Sequence, residues 1–260
     1  LNRPWQKDIV MDPKTCPFCT KKQKVLKDYK DGKKVEVWQL LQNLYTPLPY
    51  HKIIIPKQCG GNKWPKEEIR ILGGLTRIKT AFQIAAIELF SQDAKNRDIQ
   101  LIVHVGPYAG QTISHLHYHL LEQVPKPKPQ NTLMKLGIYA AENQFSQILE
   151  SENFTINVGG ERAGQSYIIP KEKPIDFDSK LIEETADITS SLIHIYEKSF
   201  MSEQKLPPDY IIIIRFSERK IWYGTYVPTL NHWGGTEYFG LMENTSIVLP
   251  WPHEETAKHI

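Results

Sequence analysis

The chain is short of cysteine, of long apolar runs and of excess charge, and each shortage removes a class of protein. There are three cysteines in 260 residues, Cys16, Cys19 and Cys59. An odd count with one close pair excludes a disulfide framework and points to a reducing compartment, with a metal or redox pair. That usage suits a cytoplasmic protein. No apolar run approaches the roughly 18 residues of a membrane span, so no membrane partner is expected. The 32 basic residues exceed the 29 acidic ones by only three. Such a mild excess argues against a nucleic-acid partner, whose cations would gather on one face, and suits a small anionic ligand at least as well. The stretch from Leu1 to Asp8 lacks the apolar centre of a signal peptide. Leu1 is not an initiator methionine, so a targeting segment could have preceded it. Asn153-Phe-Thr155 and Asn244-Thr-Ser246 match the glycosylation pattern, which is too short to carry weight.

What is present is enough for a globular chain with a sizeable core, one large domain or two small ones: 40% of residues are hydrophobic and 23% charged. Lys21 to Lys34 is a Lys-rich stretch and reads as a solvated face. Lys52-Ile-Ile-Ile-Pro56 reads as a buried strand stopped by its proline. Trp64-Pro65-Lys-Glu-Glu68 opens a helix, since proline suits the first turn and acids suit its positive end. Ile71, Leu75, Ile78, Phe82 and Leu89 continue it at near-helical spacing to about Ser91. Strands are expected over Gln100 to Gly106 and His115 to Leu121.

The second half repeats this order. Tyr167-Ile-Ile-Pro-Lys171 echoes Ile53-Ile-Ile-Pro-Lys57. A helix follows over about Ser179 to Ser199, then strands over Tyr210 to Arg215 and Lys220 to Val227. Such a repeat implies an α+β protein of two similar lobes, each an antiparallel sheet with a long helix. The expected limits are 1–129 and 130–260, with Pro125-Lys-Pro-Lys-Pro129 as a stiff joint. A further helix is expected over Lys135 to Glu150.

The densest chemistry lies in Gly106-Pro-Tyr-Ala-Gly-Gln-Thr-Ile-Ser-His115-Leu-His117-Tyr-His119-Leu-Leu121. Strand side chains alternate, so His115, His117 and His119 share one face. At about 3.3 Å per residue the three rings spread along about 13 Å, too far for one metal ion to hold all of them easily. A proton relay is possible. Covalent catalysis by the central imidazole fits best, because a neutral ring held at one nitrogen leaves the other free to attack.

This segment resembles the histidine-triad signature, His-apolar-His-apolar-His-apolar-apolar, preceded by Gly-Pro-x-Ala-Gly-Gln-Thr. The chain is thereby similar to the histidine-triad and galactose-1-phosphate uridylyltransferase superfamily. The resemblance implies nucleotidyl transfer or hydrolysis at a nucleoside phosphoanhydride, a nucleotide sugar or dinucleoside polyphosphate, through a nucleotidyl-His117 intermediate. It places Gln111, Ser114 and His119 at the phosphates, with Gly110 in the turn beneath them. Asn43 falls at a ribose-binding position, though a loop asparagine satisfying its own turn reads equally well. His104 stands where relatives often carry Asn or Gln.

Cys16-Pro-Phe-Cys19 has the spacing of a zinc knuckle, a redox pair or two free thiols. The resemblance adds His51 and His115, which would close a structural zinc site of two thiolates and two imidazoles, with no open position. Cys59 has no evident partner. Two branches compete. The duplication, the Cys-x-x-Cys and Tyr226-Val-Pro-Thr-Leu-Asn-His-Trp-Gly-Gly-Thr-Glu-Tyr-Phe-Gly240 resemble uridylyltransferases, with Asn231 to Glu237 near the acceptor. His119 resembles hydrolases, because the transferases usually carry Gln there. A non-catalytic nucleotide sensor and an enzyme that processes capped or adenylated nucleic-acid 5′ ends are the alternatives. The chain could also pair as a homodimer.

Overall fold

The computed structural model describes residues 14, 16–20, 23–30, 37–44, 46–58, 74–106, 109–111, 113–122, 146–159, 164–172, 175–176, 178–199, 208–217 and 220–229. The first half comprises a short helix α1 (Pro17–Thr20), strands β1 (Val25–Lys30), β2 (Val37–Gln42) and β3 (His51–Pro56), helix α2 (Gly74–Leu89), and strands β4 (Ile99–Val105) and β5 (Tyr118–Glu122). The second half comprises β6 (Ser146–Glu150), β7 (Phe154–Val158), β8 (Ser166–Pro170), β9 (Ile175–Asp176), helix α3 (Ser179–Ser199), β10 (Asp209–Ser217) and β11 (Lys220–Thr229).

Among the described residues, all eleven strands join one antiparallel sheet, ordered β1-β2-β3-β5-β4-β10-β11-β8-β7-β6, with β9 paired to β11. The order within the first half is 1-2-3-5-4, and within the second it is 6-7-8-11-10. The halves meet at β4 and β10, where Ile102 lies opposite Ile213. Equivalent backbone bonds recur in both: Lys57 N donates to Val37 O at 2.7 Å, and Lys171 N to Asn153 O at 2.8 Å.

The strands alternate as a sheet covered on one side by helices must. Ile54, Leu101, Val103, Val105, Tyr118 and Leu120 form one core with Ile78, Phe82 and Leu89 of α2 and Leu181, Leu192 and Ile193 of α3. The opposite face carries Ile102, Leu121, Ile211, Ile213 and Val227, and beside them Leu41, Ile53 and Ile55. The chemistry-bearing residues are on this second face, away from the helices.

The sheet departs from expectation in three places. β5 begins at Tyr118 rather than His115. Pro56 has no N–H to continue the ladder, and its carbonyl takes a hydrogen bond from the His115 ring instead. Ser146–Glu150 is a strand, not the end of a helix, because it pairs with β7; the rest of that expected helix lies outside the described residues. β1, missed in the Lys-rich stretch, is an exposed edge strand, where lysines deter sheet extension. The expected start of α2 at Trp64–Glu68, the joint at 125–129, Cys59 and Asn231 to Glu237 also lie outside the described residues.

One buried ion pair ties β3 to α2. Lys52 Nζ lies 2.8 Å from Glu88 Oε2 and 3.1 Å from Asp93 Oδ2, and Tyr29 OH donates to Glu88 Oε1 at 2.9 Å. Glu88→Gln leaves a buried ammonium with one carboxylate fewer, so it should lower unfolding free energy by about 2 kcal/mol. Urea denaturation checks this, and an unchanged midpoint would show the pair to be energetically idle.

Candidate active site and metal knuckle

The site is built where β3, β4, β5, α1 and the turn after β4 come together. His115 anchors it. Its Nε2–H donates to Pro56 O at 2.7 Å, which leaves Nδ1 as a bare lone pair. That nitrogen lies 3.5 Å from Cys16 Sγ and 3.5 Å from Cys19 Sγ. The three donor atoms all fall within 4.8 Å of one another, the arrangement one metal ion requires. Burial opposes ionisation of Cys16. The adjacent His115 ring and the hydrogen bonds from the Phe18 and Cys19 backbone outweigh it and bring the thiol down to about 7. Thiolates beside an imidazole lone pair suit zinc, and a ring N–H fixed on a backbone carbonyl orients such a ligand toward the ion.

His51, expected as the fourth ligand, is not in this group. It opens β3 while Pro56 closes it, which puts the two ends about 16 Å apart. Its Nε2 lies 2.9 Å from His119 Nδ1 and its Nδ1 2.9 Å from Thr46 Oγ1. Asn43 Nδ2 lies 3.2 Å from both ring nitrogens, so in this structure Asn43 meets a histidine. No other described His, Cys, Asp or Glu joins the two thiols and His115.

The backbone of His115 orients the next histidine. His117 Nδ1–H donates to His115 O at 2.7 Å, so Nε2 carries the free lone pair. Phe18, inside the cysteine loop, packs on both rings, with centroids 5.6 Å from His115 and 5.3 Å from His117. His119 follows at 5.0 Å from His117 and 5.2 Å from His51, and His104 lies 6.2 Å from His119. His104 is held by its Nδ1–H on Ala109 O at 2.7 Å. Burial lowers the His117 ring to about 4, and the neighbouring His104 and His115 rings work in the same direction. Burial likewise brings His51 to about 4 and puts His104 and His119 below their usual range. Four neighbouring imidazoles are thus neutral near pH 7.

The turn between β4 and β5 is closed by Gln111. Its Oε1 accepts from Gly106 N at 2.8 Å, its Nε2 donates to Ile113 O at 2.9 Å, and its own N–H donates to Gly106 O at 3.2 Å. The structure therefore engages the Gln111 amide with the turn itself. Ser114 Oγ is buried with no hydrogen-bond partner among the described residues, leaving it available to a ligand. Gly106 and Gly110 adopt φ of +93° and +81°. A Cβ on Gly106 would meet the Asp209 carboxylate at 2.0–2.4 Å, so that position admits only glycine. Asp209 belongs to the second half, and no local signal marks it. Phe18 and Thr46 were missed too, although Phe18 sits inside the motif that announces the knuckle.

No family model matches the sequence, and no curated protein matches it. Solved structures do. A uridylyltransferase superposes with a TM-score of 0.62 at 15% identity over 99% of this chain and 95% of that one. An ADP-glucose phosphorylase from Arabidopsis thaliana with bound ADP-glucose gives 0.59 at 19% identity over 94% and 89%. Yeast Ap4A phosphorylase Apa2 gives 0.53 at 14% identity over 98% and 83%. The chain thus shares its fold with a uridylyltransferase, an ADP-glucose phosphorylase and an Ap4A phosphorylase. No helix among the described residues is long and apolar enough to cross a membrane.

The depressed His51 value fixes a sign for stability against pH. The unfolded ring binds its proton near 6.5 and the folded one only near 4. Its contribution is whole above pH 6.5 and is lost as pH falls through 4, at up to about 1.4 kcal/mol per pH unit. His51→Gln should flatten the fall in thermal midpoint between those pH values; an equally steep fall in the variant would contradict this.

Proposed function

We propose that the chain is a nucleotidyltransferase, or a hydrolase of the same mechanism, that moves a nucleoside monophosphate from a phosphoanhydride onto His117 Nε2. The observation that carries this is the His117 Nδ1–H bond to His115 O, which points a neutral nitrogen lone pair away from the backbone. Nε2 attacks the α-phosphorus in line. The N–P bond forms as the bridging P–O bond breaks, and the leaving phosphate takes the electron pair. Ser114 and His119 are the side chains placed to meet charge on the phosphoryl oxygens, with the Gly106–Gly110 turn admitting the phosphates closely. Gln111 acts by shaping that turn. In the second step an acceptor oxygen attacks the same phosphorus and Nε2 leaves. The His119–His51–Thr46 chain can carry the proton of that acceptor.

The substrate class is a nucleotide sugar or dinucleoside polyphosphate. The bound ADP-glucose of the plant phosphorylase and the Ap4A named for the yeast enzyme support both members of that class. Two lobes, near 1–129 and 130–260, make up the chain by duplication, supported by the matching strand orders and backbone bonds. Asn43, in this reading, turns from His51 to the ribose when nucleotide binds. His104 lines the phosphate end.

A zinc ion held by Cys16, Cys19 and His115, with its fourth ligand unassigned among the described residues, is structural in this proposal. It would fasten α1 to the end of β3 and so hold the His115 carbonyl where His117 needs it. Purified chain should carry about one zinc, and Cys16→Ser should lose it together with thermal stability. Metal analysis that finds equal zinc in the variant would remove these ligands from the reading.

Incubation with UDP-glucose, ADP-glucose and Ap4A, each labelled at the α-phosphorus, tests the chemistry. Acid-labile label should appear on the chain, and phosphate or water should discharge it. His117→Ala should abolish labelling, a loss of at least about a thousandfold, while nucleotide affinity changes by less than about fivefold. Binding without any labelling of the unaltered chain would make it a sensor instead.

A further inference from the structure

The backbone alone holds Cys16 and Cys19 toward each other. Thr20 N donates to Cys16 O at 2.9 Å, Cys19 N donates to the same oxygen at 3.0 Å, and Thr20 Oγ1 adds a bond at 2.8 Å. These bonds wind one helical turn, so two side chains three positions apart share a face. Gln23 Nε2, on Pro17 O at 2.8 Å, ties the turn to the chain that follows. Both sulfurs and His115 Nδ1 fall within 4.8 Å of one another. Cβ atoms three apart on a helix lie about 5–6 Å apart, and a disulfide needs about 3.5–4.5 Å, so a small tightening of the turn joins the sulfurs.

The two thiols differ in reach. Cys16 is buried and Cys19 is exposed. An oxidant in solution meets Cys19 first, with Cys16 behind it as the resolving thiol. In a chain of three cysteines with no disulfide framework, a close and half-open pair is the kind that cycles with its redox surroundings. Thiolates bind zinc and disulfide sulfurs bind it poorly. Joining the pair therefore leaves His115 Nδ1 as the single described donor of the group, and one imidazole does not retain the ion. Phe18, between the two cysteines, carries the change to the site. Its ring lies 5.6 Å from that of His115 and 5.3 Å from that of His117, and it packs on the cluster of Leu41, Ile53 and Ile55. The His115 carbonyl, which holds His117 Nδ1–H at 2.7 Å, is the second link.

We propose that Cys16 and Cys19 are a peroxide-sensitive dithiol whose closure to a disulfide ejects the metal and loosens the support of His117. A hydroperoxide gives one oxygen to the Cys19 sulfur, which becomes a sulfenic acid while the rest of the peroxide leaves as an alcohol, or as water from hydrogen peroxide. The Cys16 sulfur then attacks that sulfur, the S–S bond forms, and the oxygen leaves as water. The two thiols lose two electrons to the peroxide O–O bond, and their two protons finish on the alcohol and the water. This rests on the zinc reading of the group and not on the transfer chemistry.

Treating the zinc-loaded whole chain with an equivalent of hydrogen peroxide tests it, with released zinc followed by a chromogenic chelator and thiols counted. About one zinc should leave per disulfide formed, and the three thiols should fall to about one. Peptide mapping should place the bond between Cys16 and Cys19, and dithiothreitol with zinc should restore both thiols and metal. In chains carrying 15N-labelled histidine, the ring signals of His115 and His117 should shift on oxidation and return on reduction. A bond through Cys59, oxygen added to sulfur without an S–S bond, or a Cys16–Cys19 disulfide that keeps its zinc overturns the proposal. So do zinc release that reduction fails to reverse and a His117 signal that stays in place. A chain that binds no zinc removes the ligand reading and this proposal with it. Labelling of His117 by nucleotide is read separately, so its absence beside a working dithiol would sink the transfer mechanism alone.

Discussion

The site depends on one imidazole being held at both its ring and its backbone. The His115 Nε2–H is committed to Pro56 O. That single bond decides the tautomer, and the tautomer decides that Nδ1 faces the two cysteine sulfurs. The same residue's carbonyl commits His117 Nδ1–H, which decides that Nε2 is the exposed lone pair. The Cys16, Cys19 and His115 group and the His117 ring are thereby coupled through three consecutive residues. The coupling needs the strand to stop: were Pro56 able to donate in the ladder, β5 could run on to His115, and its ring and carbonyl would be free for neither task.

The second constraint is dryness. The histidines sit on the sheet face opposite the helices, among Ile53, Ile55, Ile102 and Ile211. Loss of water lowers the rings of His51, His104, His117 and His119. Neutral rings packed within about van der Waals reach of each other can bind a polyanion without mutual repulsion, and one of them can act as a nucleophile at neutral pH. The opposite face meets a different demand: α2 and α3 cover it with aliphatic side chains and one buried ion pair, and that rigid support fixes β3, β4 and β5 beneath the site.

Much of this was legible locally. The period-two pattern and the prolines marked β3, β4, β8, β10 and β11, and α3 falls over the residues its periodicity suggested. The histidine and cysteine motifs named His115, His117, Cys16 and Cys19, because each motif is short enough for local spacing to constrain its geometry. β1, β2, β6 and β7 were not legible. An edge strand carrying lysines, and a polar strand such as Ser146–Glu150, owe their conformation to the ladder partner and not to their own residues. His51 shows what spacing leaves open: its distance along β3 from Pro56 sets it beside His119 and Thr46, apart from the group of Cys16, Cys19 and His115.

By itself, the sequence determined the inventory: which residues can ligate, attack or donate, and which runs alternate or recur, since these are properties of composition and spacing. The tertiary structure alone decided the assignments. It set His51 beside His119, turned the Gln111 amide onto its own turn, and laid Asp209 from the far half under Gly106. Each of these follows from strand register and from which carbonyl a ring N–H finds, and both are contacts between residues distant in the chain, which local spacing cannot encode.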